Sequence, residues 1–446
     1  MRAIRKARFE ALSYARNPFV KGISEEIEWF SNKNNAVLGV VLMDKTGKDY
    51  VAMVLGRDEA GVFRSIDSKV SIKKIDEARK ILIEKMESHS KNGAEEFPQK
   101  VITRNKNLIF KALVGESVMP EDYKLLIDND LFSPARELIQ EIAYSFEDPD
   151  GNYIEQFQST GFNARLWELY LYALFHELDF SINRKYNAPD YVIEKSGIRV
   201  CIEAVTVNTS QNGFDEDEPK TTEDKRKLLA DYIPIKYGSP LFSKLKKKYW
   251  EKDHVSEHPF VIAIHDYHQK DSMMWTRSGL ETYLFGVKRT YKKSNTVVVQ
   301  GNIEQIEEHR WKGKVIPSNF FSQPDSENIS AVIHSNQATI GKFLRMGYLA
   351  EFGRRDLDIR VSGKGIVDND FENIEYDYDY DVTDPFYEEF WSNSVIIFHN
   401  PNAKHPLDCR LFEGVAHVFL KDGKFIFIKP KFYPLFSRTR YRVKNN

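Results

Sequence analysis

The stretch NAPDYVIEKSGIRVCIEAVTVN, residues 187–208, decides the fold. It holds two β-branched runs, DYVI and IRVCIEAVTV, which are separated by the turn sequence EKSG. Two such runs joined by a tight turn predict a β-hairpin. Asp190 then begins the first strand, and Glu203 lies in the middle of the second.

Glu203 is the unusual residue of this hairpin. Because side chains alternate along a strand, Glu203 shares its face with Cys201 and Val205, which favour burial. Burying an unpaired carboxylate is costly, so this group should be protonated, paired with a cation or bound to a metal ion. Asp190, at the head of the neighbouring strand, could share that metal ion. The alternative is a structural Asp at a strand start and a Glu paired with a nearby Lys or Arg.

Further elements flank the hairpin in a regular order. Apolar periodicity predicts a helix before it, with Glu168 among the apolar residues, and a short strand between the two. After the hairpin, Ser239 and Pro240 predict the start of a second helix, which leads into an apolar strand. The predicted sequences are ARLWELYLYALFHELDF (164–180), FSINRKY (180–186), SPLFSKLKKKYW (239–250) and PFVIAIHDYH (259–268).

This order, with a helical Glu, then Pro-Asp, then a hairpin containing Glu-x-x, resembles the core of the PD-(D/E)XK, or restriction-endonuclease-like, nuclease superfamily. The resemblance covers residues 161 to about 268 and implies a core of helix, mixed sheet with hairpin, helix and strand. The matched positions are Glu168, Asp190 and Glu203. Where the family has its lysine, this chain has Val205, and Lys244 in the second predicted helix is the candidate replacement.

The chemistry implied by the resemblance is metal-assisted hydrolysis of a phosphodiester. The reaction needs a nucleophilic water and a counter-charge for an extra-negative transition state, and Mg²⁺ or Mn²⁺ supplies both. Magnesium keeps several waters, so two carboxylates and a substrate phosphate suffice as further ligands. Asp190 and Glu203 would be direct ligands, and Glu168 a second-metal or water-mediated ligand. Lys244 would orient the water or face the phosphate.

A basic segment follows the hairpin. Residues 220–253 hold ten Lys or Arg against five Asp or Glu, and Lys247 and Lys248 lie near the same helical face as Lys244. A phosphate backbone could lie along this face. A solvated helix face is the alternative interpretation.

Two further places are candidates for contact with nucleic acid. His265 lies at the end of the predicted strand after the second helix, close to the proposed site, although a structural histidine fits there as well. Residues 423–446 hold seven basic and no acidic residues with aromatic residues between them, which suits backbone contact and base stacking. Arg438 and Arg440 are the residues singled out there. A packed terminal strand with a basic tail would look similar.

The length of 446 residues predicts two or three domains on an α/β plan, α+β overall. We expect an N-terminal α/β accessory domain over 1–150, the nuclease-like core over 151–290 and a β-rich C-terminal region over 291–446. The strands of that last region suggest either a separate domain or a continuation of the central sheet. Residues 368–389 hold ten acidic and no basic residues, and we expect an exposed acidic loop there.

Composition narrows the functional classes. The net charge of -2 gives no global attraction to nucleic acid, so binding must come from local patches. No apolar run is long enough for a membrane span and no secretory signal is visible, which predicts a cytoplasmic protein without a membrane partner. The two cysteines suit a reducing compartment. No phosphate-binding glycine loop, dinucleotide fingerprint or serine-hydrolase elbow is present.

The sequence therefore predicts a magnesium-dependent or manganese-dependent nuclease that prefers DNA to RNA. A role in restriction or phage defence is implied by the resemblance alone. Two alternatives remain: a catalytically inactive nucleic-acid-binding protein on the same fold, for which Val205 is the best evidence, and an RNA-directed nuclease. A homodimer is left open.

Overall fold

The computed structural model describes residues 1–91, 93–99, 106–210, 214–294, 297–369 and 372–444. In this part of the chain, no helix is both long and apolar enough to cross a membrane. The helices are α1 (Lys6–Leu12), α2 (Phe19–Ile23), α3 (Ile75–Ser90), α4 (Glu121–Asp128), α5 (Ser133–Ser145), α6 (Tyr153–Phe157), α7 (Phe162–Glu177), α8 (Thr222–Ala230), α9 (Tyr232–Lys246), α10 (Arg277–Phe285) and α11 (Ile340–Leu349). The strands are β1 (Arg2–Ala3), β2 (Ser24–Ser31), β3 (Val37–Asp44), β4 (Tyr50–Arg57), β5 (Phe63–Ile72), β6 (Ser181–Asn183), β7 (Tyr191–Lys195), β8 (Ile198–Val207), β9 (Phe260–Asp266), β10 (Val287–Ser294), β11 (Val297–Gln305), β12 (Glu308–Trp311), β13 (Lys314–Pro317), β14 (Ala331–His334), β15 (Leu357–Asn369), β16 (Glu372–Asp381), β17 (Ile396–His399), β18 (Ala416–Lys421), β19 (Lys424–Ile428) and β20 (Phe432–Val443).

The chain is a mixed α/β protein, α+β overall, as the sequence predicts. Its contacts divide it into two compact units. The first unit comprises Met1–Thr160 and Phe343–Leu357, and the second comprises Gly161–Lys342 and Asp358–Asn446. Each unit is thus built from two separate segments of the chain.

The first unit is organised around an antiparallel sheet in the order β1-β2-β3-β4-β5. Strand β3 is almost wholly apolar, and helix α3 packs on this sheet through Ala78, Leu82 and Met86, which are all buried. These three residues recur at four-residue spacing, which places them on one face of the helix. The apolar core of the sheet therefore lies beneath α3.

The second unit contains the predicted hairpin in an eight-stranded sheet of order β19-β18-β17-β14-β9-β8-β7-β6. Strands β7 and β8 pair antiparallel, and Ser196 and Gly197 at their turn have φ values of 54° and 77°. Two successive positive φ angles are typical of a tight hairpin turn. Strand β9 pairs parallel with β8, and β14 pairs parallel with β9. Four strands from the region 291–446 therefore continue the sheet that holds the hairpin.

The acidic segment differs from the expectation of an exposed loop. Residues Glu372–Asp381 form strand β16 in a second sheet of order β10-β11-β16-β15-β20, while residues 370 and 371 lie outside the described part of the chain. In EYDYDYD, aromatic and acidic residues alternate with the period of a strand. Tyr378 is buried, whereas Asp377 keeps 80% of its side chain exposed. The loop prediction was wrong for this stretch. Its high acidic content favours an exposed loop, but the alternation of aromatic and acidic residues favours a strand.

The start of the second predicted helix was also wrong. Helix α9 begins at Tyr232, and Pro240 lies inside it. The first residues of α9, among them Ile233 and Tyr237, are fully buried. Burial of this apolar face outweighs the backbone hydrogen bond that an internal proline removes.

Candidate active site

The two carboxylates of the hairpin are held together by reciprocal hydrogen bonds. The backbone N–H of Asp190 donates to Oε2 of Glu203 at 3.3 Å, and the N–H of Ala204 donates to Oδ2 of Asp190 at 2.8 Å. In the ladder of β7 and β8, Tyr191 lies opposite Ile202. Asp190 precedes Tyr191 and Glu203 follows Ile202, so these two residues also face each other across the hairpin. The hairpin register therefore brings Asp190 and Glu203 side by side.

Lys244 completes this group from a different element. Its Nζ donates to Oε1 of Glu203, and the two side chains are 18% and 5% exposed. Helix α9 reaches the hairpin because Leu241 and Leu245 are buried in the same apolar cluster as residues of β8 and β9. The position of the missing motif lysine, Val205, is packed against that cluster. A cation thus meets Glu203 from the helix, while the motif position on its own strand holds the apolar Val205.

The environment of Glu203 resists ionisation. Burial and, to a smaller extent, the neighbouring Asp190 charge raise the pKa of Glu203 to about 7, against the opposing effect of Lys244. Burial raises the pKa of the nearby Tyr249 as well, with a further contribution from the Glu203 charge. Two adjacent carboxylates with one lysine leave the site in need of additional positive charge when both are ionised.

Glu168 lies near this group but has partners of its own. On helix α7, its Oε1 accepts from Nη1 of Arg165 at 2.6 Å and its Oε2 accepts from Nη2 of Arg184 at 3.0 Å. Burial raises its pKa, Arg184 opposes this, and the charge of Asp190 raises it again. A metal ion bound to Glu168 would share the carboxylate with these two guanidinium groups. Its role as a ligand stays a prediction.

The donor set fits one class of metal ion. Within the described ranges of the chain, no group of three or more His, Cys, Asp or Glu side chains is arranged to hold a metal ion. A structural zinc cage needs four such ligands, whereas magnesium and manganese accept one or two carboxylates and fill the remaining positions with water and phosphate. The two close carboxylates of Asp190 and Glu203 match the second case.

The predicted basic face lies at the end of α9. Lys247 is exposed, makes no ion pair with a described residue, and lowers the pKa of Glu203 through its charge. Lys248 is also exposed but pairs with Asp325 at 3.1 Å. Of the two predicted contacts, Lys247 is therefore the one whose charge is open to a phosphate near the carboxylates.

His265 is not presented to a polymer. The residue is fully buried in β9, and its Nε2 accepts from the N–H of Ala338 at 3.2 Å. Its ring lies against Trp167 and Tyr267. Burial lowers the pKa of His265 to about 3, so the ring is neutral. The burial of every residue of β9 disfavours the predicted contact with nucleic acid, which stays a prediction.

Arg438 and Arg440 lie on β20, in the second sheet of the unit rather than in the sheet of the hairpin. Arg438 pairs with Asp271 at 3.1 Å, and Arg440 pairs with Asp379 at 2.5 Å. Both side chains remain more than half exposed. The structure does not join them to the group of Asp190, Glu203 and Lys244, and their contact with nucleic acid stays a prediction.

Sequence reasoning missed the two arginines at Glu168. Arg165 stands three residues before Glu168 on the same helix, a spacing at which opposite charges commonly pair. That signal was present in the sequence. Arg184 follows the helix by a turn and a short strand, and no local pattern predicts that it folds back.

Comparison with protein-family models, curated proteins and solved structures gave no match to this chain. A functional assignment must therefore rest on the chemistry of the site.

Proposed function

We propose that this protein is a metal-dependent nuclease whose centre is formed by Asp190, Glu203 and Lys244. The observation that carries the proposal is the meeting of two carboxylates from one hairpin with a lysine from a helix in a largely buried site. Three such groups in contact match the needs of phosphodiester hydrolysis: ligands for a divalent cation and a separate positive charge.

The order of elements around the site supports a restriction-endonuclease-like core. Helix α7 is followed by the antiparallel strands β6, β7 and β8, then by α8 and α9, and then by β9, which pairs parallel with β8. This is the helix, hairpin, helix and strand arrangement that the resemblance implies. The support comes from topology and is an analogy of fold.

Each residue has a defined task in the proposed reaction. Asp190 and Glu203 would hold Mg²⁺ or Mn²⁺, which when bound activates water and neutralises developing charge on the phosphate. The N–H of Ala204 keeps the Asp190 carboxylate oriented toward Glu203. Lys244 would donate its hydrogen bond to a phosphate oxygen or to the attacking water when Glu203 binds the metal ion instead of the lysine. Lys247 would contact the phosphate backbone beside the site.

The polymer and the biological setting belong to the same proposal. A preference for DNA over RNA and a role in restriction or phage defence follow from the resemblance, and the cytoplasmic location stays an expectation from composition. The acidic net charge of -2 makes a local contact through α9 necessary, since the protein as a whole does not attract a polyanion.

One observation favours a second candidate, a nucleic-acid-binding protein without catalysis. The direct bond between Lys244 and Glu203 neutralises the carboxylate internally, as in a structural ion pair. The loss of a lysine at Val205 fits that interpretation. The two candidates differ in whether a divalent ion replaces the lysine at Glu203.

The test is cleavage of duplex DNA, single-stranded DNA and structured RNA with Mg²⁺, Mn²⁺ or EDTA. We expect metal-dependent cleavage that falls at least about a hundredfold in Asp190→Asn, Glu203→Gln and Lys244→Met, because each removes a group that stabilises the transition state. Matched controls are Glu194→Gln, an exposed acid on β7, and Lys248→Met, a lysine paired with Asp325.

Circular dichroism establishes that each variant is folded. Equal activity in the three site variants and the two controls would overturn the proposal. Metal-independent binding without cleavage would support the second candidate.

A further inference from the structure

The second unit contains a cavity of about 550 Å³ outside the proposed active site. One wall is the tyrosine face of β16, where Tyr376, Tyr378 and Tyr380 follow one another at alternate positions. The segment after that strand also lines the cavity and includes Phe386 and Phe390, which are 92% and 50% exposed. Large apolar rings exposed beside a cavity usually serve binding.

The charge of this cavity is negative. Four acidic residues line it, and no described lysine or arginine does. Glu389 forms an ion pair with the buried Lys342 at 2.7 Å. Asp384 and Glu388 are exposed, and neither pairs with a basic residue of the described chain. A ligand of this cavity therefore meets aromatic faces and uncompensated carboxylates together.

A buried hydroxyl group without a hydrogen-bond partner among the described residues also lines the cavity. Ser394 is 2% exposed, and its Oγ has no hydrogen-bond partner among the described residues. Buried hydroxyls are almost always paired in folded proteins. The missing partner is what a bound molecule, or a water at its edge, would supply.

We propose that this cavity binds an organic cation, an alkylated ammonium or a guanidinium. Such ions are attracted to the negative faces of aromatic rings and to carboxylates, and their carbon atoms tolerate an apolar wall. Polyanions are excluded by the same charges, so the cavity is not a contact for a phosphate backbone. The site is independent of the proposed nuclease function. The cation can be a free small molecule or a side chain presented by a protein.

Isothermal titration calorimetry on the full chain tests the ligand class. The probes are N-trimethyllysine, arginine and the neutral carbon isostere of trimethyllysine, in which a tert-butyl group replaces the ammonium head. We expect at least one cation to bind at least about tenfold more tightly than the neutral isostere. Equal binding of the isostere, or no binding of either cation, overturns the proposal.

Variants locate the binding. Phe386→Ala and Glu388→Gln should each weaken cation binding severalfold, up to about tenfold, because they remove a ring and a charge. Ser394→Ala should also weaken it. The matched controls are Phe19→Ala, at a ring 69% exposed in the other unit, and Glu413→Gln, at an exposed acid away from the cavity. Binding that survives in all three cavity variants contradicts the site.

A peptide carrying one trimethyllysine distinguishes the two sources. Tighter binding of the peptide than of the free amino acid identifies a protein side chain as the ligand, and weaker or equal binding identifies a free small cation. Cleavage activity, where present, should be unchanged in Phe386→Ala, which separates this site from the nuclease proposal.

Discussion

At the scale of the residue, two opposing effects act on the protonation state of Glu203. Its side chain is almost fully buried, which favours the neutral form, while Lys244 and the expected metal ion favour the ionised form. Asp190 accepts the N–H of Ala204 and Glu203 accepts the N–H of Asp190, so each carboxylate receives one backbone hydrogen bond across the hairpin. Sequence pattern predicted both carboxylates and also Lys244. No local pattern indicated that Arg184 also holds Glu168 or that His265 is covered.

Replacement of Glu203 should reveal its titration in the stability of the metal-free protein. The folded pKa of about 7 lies above the ordinary value of 4.5, so the stability of the protonated form is present below pH 4.5 and is lost as pH rises toward 7. Glu203→Gln cannot lose a proton. We expect it to be more stable relative to the native protein at pH 8 than at pH 5, by about 3 kcal/mol.

The measurement is urea unfolding of both proteins at pH 5 and pH 8 with EDTA. Titrating groups that do not interact with Glu203 are common to the two proteins and cancel in the comparison. A stability difference that does not change with pH would contradict the buried, ionisable state of Glu203. Added Mg²⁺ should stabilise the native protein at pH 8 and have little effect on Glu203→Gln.

At the scale of the element, local pattern predicted the type of most segments better than their limits. The hairpin, helix α7 and strand β9 follow from periodicity and turn residues. Helix α9 begins seven residues before its predicted start at Ser239, because its first residues are buried in the core. The acidic content of Glu372–Asp381 predicts a loop, whereas the alternation of its tyrosines and acids is typical of the strand β16 that the structure has. Acidic residues on β16 are matched by cations on neighbouring strands, as in the pair of Asp377 with Lys364 at 3.0 Å.

Helix packing in the first unit gives a prediction about Gly347. A Cβ atom at this position of α11 would lie 2.1 Å from the carbonyl oxygen of Pro134 on α5. Backbone cannot move aside as a side chain can, so Gly347→Ala should destabilise the protein by about 2 kcal/mol. The control is Gly22→Ala in α2, where nothing lies within 4 Å and alanine favours the helix. Thermal unfolding of both variants tests this, and equal melting temperatures would refute the close approach of α11 to α5.

At the scale of the whole molecule, both compact units are assembled from distant parts of the chain. Arg8, which is 5% exposed, donates from Nη1 to the carbonyl oxygens of Ala350 at 2.8 Å and Glu351 at 2.6 Å. Its guanidinium also lies 4.7 Å from the ring centre of Phe352. These contacts join the beginning of the first unit to its second segment.

Removal of this link should lower the stability of the full chain. We expect Arg8→Ala to reduce the free energy of unfolding by about 2–3 kcal/mol, because one buried and one partly buried carbonyl group lose a charged donor. Arg5→Ala is the matched control, since Arg5 is 59% exposed and pairs with Glu351 at 3.6 Å, an interaction worth less than about 1 kcal/mol. Chemical denaturation measures both. If both variants lose the same free energy of unfolding, the buried contacts of Arg8 contribute no more to stability than the exposed ion pair of Arg5.

The sequence by itself determined the local structure of this protein: the hairpin of residues 187–208 with its two carboxylates, the helix before it and the strand after it. Periodicity and turn chemistry act over a few residues and can be read without a fold. Only the tertiary structure decided which side chains meet. Lys244 reaches Glu203, Arg184 reaches Glu168, and strands beyond residue 330 extend the sheet of the hairpin. The physical reason is that these contacts join residues far apart in sequence, and their proximity depends on how buried apolar faces pack.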